Sequence, residues 1–194
     1  LTGVASIASV GSYIGTSPPS LPVSYPRIKI ANVNELKDKE PIVFCYPLTS
    51  TPNVLVKLGY PVKNGVGPNN DIVCYNSICQ HLGCIAHYEK EVRGVYTGKL
   101  HNDVLFCPCH YSVFDIKNDG KVLEGPAPRE VPRVILEYDE KTGDIYAVGM
   151  IGPVIKGKGT EGKRGINLPE NLKPGFTGGE IVNEITAKTC GRKS

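Results

Sequence analysis

Short runs of alternating apolar and polar residues recur along most of the chain, separated by turns rich in glycine and proline. Alternation with a period of two is typical of a β-strand with one buried face. Residues 34–38 could form one helical turn, capped by Asn32 or Asn34. The runs that predict strands are 27–30, 41–46, 54–58, 71–75, 85–88, 92–96, 104–106, 113–116, 134–138 and 145–148. Because the connections between these runs are short, the pattern predicts an all-β fold of stacked antiparallel sheets.

The two ends of the chain differ from this pattern. Residues 1–16 carry no charge, and residues 17–26 hold four prolines and three serines, which is typical of a semi-rigid linker. We interpret residues 1–26 as the stump of an N-terminal membrane anchor with its linker, the alternative being an ordinary flexible leader. No segment offers the roughly 20 apolar residues of a complete membrane span. Residues 153–194 are rich in Lys, Gly and Pro and form an extension of unknown role.

Composition and charge exclude few classes of function. Trp is absent, Met occurs once, and the net charge is only +3. The basic residues are spread along the chain without an interleaved aromatic platform, so nucleic-acid binding has no support. The lysines and arginines between 156 and 173 are interpreted as a solvated tail, with contact to anionic lipid or a partner subunit as the alternative.

Two hexapeptides carry the candidate chemistry: Cys79-Gln-His-Leu-Gly-Cys84 and Cys107-Pro-Cys-His-Tyr-Ser112. Together they present C-x-H and C-x-x-H, a set of two thiolates and two imidazoles that suits zinc or an iron–sulfur cluster. A zinc site would leave the second cysteine of each hexapeptide without a role. Tight loops shaped by Gly83 and Pro108 would aim backbone N–H groups inward, as the sulfides of an iron–sulfur cluster require. The pattern therefore favours a cluster over zinc.

At the level of motif, C-x-H-L-G-C followed by C-P-C-H-x-S resembles the Rieske iron–sulfur proteins, in particular the membrane-anchored type of cytochrome bc complexes. The resemblance implies one [2Fe–2S] cluster per chain. Cys79 and Cys107 would bind one iron, and His81 and His110 would bind the other, outer iron through Nδ1.

The same resemblance implies the surroundings of the cluster. Cys84 and Cys109 would form a disulfide between the two loops, a feature that Rieske ferredoxins and oxygenases generally lack. Ser112 would donate its hydroxyl to a bridging sulfide, and Leu82 and Gly83 would line the cluster.

A third loop is implied to cover the cluster: Gly125, Pro126, Ala127 and Pro128. The Rieske domain is expected over residues 27–152. Its base would come from residues 27–73 and 126–152, with a cluster-binding subdomain of about 74–125 inserted between them.

Three features depart from the family pattern. The gap between the motifs is longer than usual, and we expect the extra residues to extend a hairpin around 89–100. Tyr111 stands where the family usually has Gly. Phe114 stands where high-potential members have Tyr, so we expect a lower reduction potential than in an otherwise equal site.

The resemblance implies an electron-transfer subunit, not an enzyme on its own. It would take an electron and a proton from membrane quinol, with His110 as the quinol-contacting ligand and His81 beside it. It would pass the electron to a cytochrome or similar acceptor, in a complex with cytochrome b-like and c-like subunits. The implied potential is high and falls with rising pH. The cluster domain would be anchored on the extracytoplasmic side, because disulfides persist outside the reducing cytosol. A soluble Rieske ferredoxin supplying an oxygenase and a structural zinc protein are the alternatives.

Three cysteines and two histidines lie outside the motifs. Cys74 is expected to be a buried free thiol. Cys45 and Cys190 could pair and so fasten the C-terminal segment to the base, or could stay free. His87 and His101 are expected to be surface or loop-packing residues.

Overall fold

The computed structural model describes residues 25–152, 155–156, 165–166 and 180–190. A 3-10 helix covers Val33–Glu35, and helix α1 covers Glu184–Lys188. The strands are β1 (Ile28–Asn32), β2 (Ile42–Cys45), β3 (Pro52–Lys57), β4 (Ile72–Asn76), β5 (His87–Arg93), β6 (Leu100–Cys107), β7 (Ser112–Asp115), β8 (Lys121–Glu124), β9 (Arg133–Tyr138), β10 (Asp144–Ile151), β11 (Ile155–Lys156) and β12 (Gly165–Ile166).

A six-stranded antiparallel sheet forms the base, in the order β1-β10-β9-β4-β3-β2. Alternation along β4 sends Ile72 and Cys74 into one hydrophobic core and Val73 and Tyr75 into another. All five residues of β4 are consequently buried. The base sheet therefore lies between two cores, and its second face is covered by the part of the chain that carries the motifs.

A second antiparallel sheet, in the order β5-β6-β7-β8, carries the motifs at one end. The first motif follows β4, and the second is the turn between β6 and β7. Leu105 and Phe114 from this sheet pack in the same core as Val73 and Tyr75 from the base. The expected all-β fold of antiparallel sheets is confirmed, and so is the hairpin between the motifs. The domain and subdomain boundaries stay a prediction.

The C-terminal segment returns to the base sheet. Cys190 forms a disulfide with Cys45, which resolves the alternative left open by the sequence. Helix α1 packs against β1 and β2, and its Ala187 is fully buried. Asn183 caps the helix by accepting hydrogen bonds from the backbone N–H groups of Ile185 and Thr186. Residues 180–190 are therefore part of the folded base.

Local expectations differ from the structure in several places. The strands expected at 85–88 and 92–96 are replaced by the single strand β5, and β8 was not expected. The helical turn expected at 34–38 lies at Val33–Glu35, where Asn32 accepts a hydrogen bond from the N–H of Asn34. The strand expected at 92–96 ends at Arg93, and residues 94–99 form a turn. Residues 1–24 and most of 153–179 lie outside the described residues, as do the anchor stump and the basic tail predicted there. Within the part of the chain described, no helix is long and apolar enough to cross a membrane.

Candidate metal centre

The first motif folds into a closed loop at the end of β4. Cys79 donates its backbone N–H to the carbonyl of Cys84 at 2.8 Å, and Gly83 donates to the carbonyl of Cys79 at 3.0 Å. Gly83 has φ +82°, a left-handed conformation that glycine adopts without a steric penalty. The loop buries the Cys79 side chain and leaves His81 half-buried.

The second motif is the tight connection between β6 and β7, where Cys107 and Ser112 face each other across the ladder. Cys107 and Ser112 are buried, whereas His110 and Tyr111 are exposed. Tyr111 has φ +60°, which costs a residue with a Cβ about 1–2 kcal/mol. This backbone conformation explains why glycine suits the position. Here the Tyr111 ring packs on Phe106, with ring centroids 6.3 Å apart.

Two buried thiols, Cys79 and Cys107, are free although the neighbouring cysteines are paired. The hydrogen bond from the Cys79 thiol lowers the pKa of Cys107, helped by the backbone N–H groups of Cys109 and His110. The hydrogen bond to Cys107, together with burial, raises the pKa of Cys79. The shared proton and the inward N–H donors indicate a pocket built for thiolate sulfur, the form in which cysteine binds metal.

The two motif histidines meet beside these thiols. Their Nδ1 atoms are 3.3 Å apart, and the rings lie edge to face with centroids 4.7 Å apart. Both Nδ1 atoms thus converge on one place, with His110 at the exposed side. The arrangement has a buried sulfur end and an imidazole end that reaches the surface.

The loop formed by Gly125, Pro126, Ala127 and Pro128 lies against the second motif. The N–H of Ala127 donates to Ser112 Oγ at 3.2 Å, and the Ser112 hydroxyl donates to the sulfur of Cys79. Gly125 has φ +97°, and a Cβ at this position would lie 2.5 Å from Ser112 Cα. Glycine is therefore required for the loop to approach Ser112 this closely.

The disulfide between Cys84 and Cys109 links the two motif loops, as the resemblance implies. The Sγ atoms of both residues lie within 4.8 Å of Cys107 Sγ. Because Cys84 and Cys109 are bonded to each other, they are not available as metal ligands. The side chains that could bind a metal in this place are two thiols and two imidazoles, surrounded by N–H and O–H donors to sulfur. That donor set fits a [2Fe–2S] cluster with mixed ligands.

Comparison with known proteins agrees with this chemistry. Residues 27–135 match the sequence profile of the Rieske [2Fe–2S] domain. The chain belongs to the Rieske [2Fe–2S] family. It therefore binds a [2Fe–2S] cluster and functions in electron transfer.

Relatives of this Rieske domain occur in more than one kind of complex. The chain is 38% identical to the iodate reductase subunit IdrB of Denitromonas iodatirespirans over 133 residues, 69% of this chain and 67% of that one. It is 34% identical to the cytochrome bc1 complex Rieske iron–sulfur subunit of Corynebacterium diphtheriae over 85 residues, 43% of this chain and 18% of that one. The soluble domain of the Rieske protein II (soxF) from Sulfolobus acidocaldarius superimposes with a TM-score of 0.61 and 30% identity, covering 84% of this chain and 95% of that one.

The remaining candidate residues of the Rieske domain divide into buried and exposed positions. Phe114 is fully buried in the same core as Cys79 and Cys107. Leu82 is 36% exposed, on the surface next to His81. Cys74 is a buried free thiol, as expected, and burial raises its pKa well above the usual value.

Sequence reasoning missed one contact to the motif loops. The hydroxyl of Tyr96, in the turn of the long hairpin, donates to the backbone oxygen of His110 at 3.1 Å. His101 packs beside this turn with 12% of its side chain exposed and contacts Glu124 at 2.6 Å. The unusual length of the gap between the motifs was the only signal in the sequence, and it did not indicate where the turn folds.

Proposed function

We propose that Cys79 and Cys107 bind one iron of the [2Fe–2S] cluster and that His81 and His110 bind the other. The supporting observation is the separation of donors into a buried thiol pair and a surface imidazole pair. Imidazole ligands raise the potential of a [2Fe–2S] cluster, from about −400 mV in plant-type ferredoxins to between about −150 and +300 mV. Replacing His110 with Cys tests the assignment, and the expected result is a cluster whose potential is far lower.

From this assignment we infer that the chain is the electron-transfer subunit of a quinol-oxidising complex. The cluster supplies a one-electron acceptor of high potential. The chain's own residues present His110 to solvent, where its free ring nitrogen can accept a proton from a bound quinol. The single observation that carries the inference is this exposure of an imidazole next to buried thiols.

The residues around the motifs keep water from the sulfur end. Ala127 and Ser112 close the side of the Cys79 thiol, and the Cys84–Cys109 disulfide fixes the distance between the two loops. Two disulfides also favour a location outside the reducing cytosol. We therefore propose an extracytoplasmic Rieske domain, tethered to the membrane through the N-terminal leader and linker.

A second candidate function is an electron-transfer subunit of an oxyanion reductase. It is favoured by the similarity to the iodate reductase subunit IdrB, which extends over a larger share of this chain than the similarity to the bc1 subunit. In that setting the cluster would deliver electrons to a reductase subunit, and quinol would not have to contact His110.

Membranes that contain the complete complex distinguish the two functions. The reduced cluster is followed by EPR after addition of quinol, and then after addition of iodate in a second sample that was reduced beforehand. Rapid reduction by quinol, without reoxidation by iodate, supports the quinol-oxidising complex. Reoxidation by iodate, without reduction by quinol, supports the reductase instead.

A further inference from the structure

The turn at the tip of the β5–β6 hairpin, residues 94–99, folds back onto the metal centre. Its Tyr96 places a hydroxyl 3.1 Å from the backbone oxygen of His110. Tyr96 is 59% exposed, so burial of the ring does not account for this position. The hydrogen bond from the Tyr96 hydroxyl to the backbone oxygen of His110 is the contact that fixes the position of this side chain.

Glu124 anchors this turn from below. The Glu124 side chain is 2% exposed, and one oxygen of its carboxylate accepts hydrogen bonds from the N–H groups of Tyr96 and Thr97, at 3.0 and 3.2 Å. The Thr97 hydroxyl and His101 Nε2 contact the other carboxylate oxygen at 3.1 and 2.6 Å. Both carboxylate oxygens of Glu124, on β8, therefore have hydrogen-bond partners, and these contacts hold the turn in one position. The turn lies next to the loop that begins at Gly125.

The turn can pack this closely on Glu124 because residue 94 is a glycine. A Cβ at Gly94 would overlap the carboxylate of Glu124. The N–H of Gly94 donates to the carbonyl of Lys99 at 2.8 Å and closes the turn. β5 therefore ends where the backbone passes over Glu124, and the turn is directed toward His110.

The carbonyl that Tyr96 contacts belongs to the peptide unit between His110 and Tyr111. That same peptide unit precedes the strained Tyr111, whose φ is +60°. Relaxation of Tyr111 toward negative φ would rotate the peptide plane and move the carbonyl of His110. A hydrogen bond to this oxygen opposes the rotation, so it holds the backbone of His110 in place.

We propose that Tyr96 is a positioning residue for His110, and that the anchored turn compensates for the absence of glycine at position 111. The proposal rests on the assignment of His110 as a cluster ligand. The long hairpin and Tyr111 are both departures from the family pattern, and in this proposal the first stabilises the backbone conformation that the second requires. Tyr96 does not touch the reacting atoms and acts only through the backbone of His110.

The test compares holoprotein variants by the rate at which a chelator removes the cluster, read from visible absorbance. Tyr96→Phe removes one hydroxyl from an exposed ring, so the variant should fold. Its cluster should be released about 3- to 10-fold faster, the range expected for the loss of one hydrogen bond. The EPR spectrum of the reduced protein should broaden, because the His110 ring occupies a wider range of orientations. Val95→Ala, at an exposed side chain of the same turn, is the matched control and should match the wild type.

A second background separates positioning from general stabilisation. In Tyr111→Gly the peptide plane is no longer strained, so the additional effect of Tyr96→Phe should fall below about 2-fold, a measure of coupling between the two sites. Equal release rates for Tyr96→Phe and Val95→Ala would overturn the proposal. An undiminished effect of Tyr96→Phe in the glycine background would overturn the link to Tyr111. If His110→Cys left the cluster potential unchanged, the ligand assignment would fail, whatever the result at Tyr96.

Discussion

Replacing Gly125 with alanine should destabilise the holoprotein by about 2–3 kcal/mol. At φ +97° a residue with a Cβ is disfavoured by about 1–2 kcal/mol. The added Cβ would also lie 2.5 Å from Ser112 Cα and 2.8 Å from Ser112 N, which are backbone atoms of β7. These atoms cannot rotate away, so the loop must withdraw. Withdrawal would break the hydrogen bond from Ala127 N–H to Ser112 Oγ, worth about 0.5–1.5 kcal/mol net.

The assay is thermal unfolding of the holoprotein by far-UV circular dichroism, together with iron content after purification. Gly98→Ala is the matched control, because Gly98 has φ +67° but no atom within 4 Å of its Cβ position. Gly125→Ala should melt lower than Gly98→Ala by about 2–4 °C for each kcal/mol of difference, and should retain less iron. Equal melting temperatures and iron contents would refute the argument that the approach to Ser112 requires glycine.

Phe114→Tyr should raise the reduction potential, because a hydroxyl there could donate to a ligand thiolate; a redox titration with no rise would mean that the hydroxyl does not reach the sulfur. Asp103 accepts hydrogen bonds from Tyr60, Tyr88 and Lys39; burial raises the pKa of Asp103, but these bonds outweigh burial and lower it. The stability from this lowered pKa is complete above the unfolded value near pH 4 and is lost as pH falls through the folded pKa. Asp103→Asn should therefore cost about 2–3 kcal/mol at pH 7 and flatten the acid side of the curve of melting temperature against pH; an unchanged acid slope would contradict this. Cys190→Ser opens a disulfide that spans 145 residues and should cost about 2–5 kcal/mol; melting temperature and limited proteolysis of residues 180–190 check it, and no change in either would show that the disulfide does not hold the segment.

Local sequence patterns were sufficient for the base sheet and the motif loops. The short apolar run of β4 predicts a strand, and its burial on both faces follows from the two cores that it separates. The spacing of cysteines and histidines predicted a shared site because each hexapeptide contains its own turn, marked by Gly83 and Pro108. Each of these signals lies within a few neighbouring residues, so it can be read from a single sequence.

These local patterns do not predict contacts between segments that are distant in the sequence. The pairing of Cys45 with Cys190 depends on where the chain returns after 145 residues, which local periodicity does not report. Residues 92–96 were expected to be a strand, since Val and Tyr favour β-structure. The four contacts that Glu124 receives from the turn and from His101 override that preference. Gly94 allows the turn to approach Glu124, because a Cβ there would overlap the carboxylate.

An EPR-monitored redox titration of the holoprotein at several pH values tests whether two thiols and two imidazoles of this chain carry a proton-coupled [2Fe–2S] cluster. We predict a midpoint potential within about −150 to +300 mV that falls as pH rises, because the histidine ligands lose protons when the cluster is oxidised. A potential near about −400 mV that stays constant from neutral to strongly alkaline pH would contradict it.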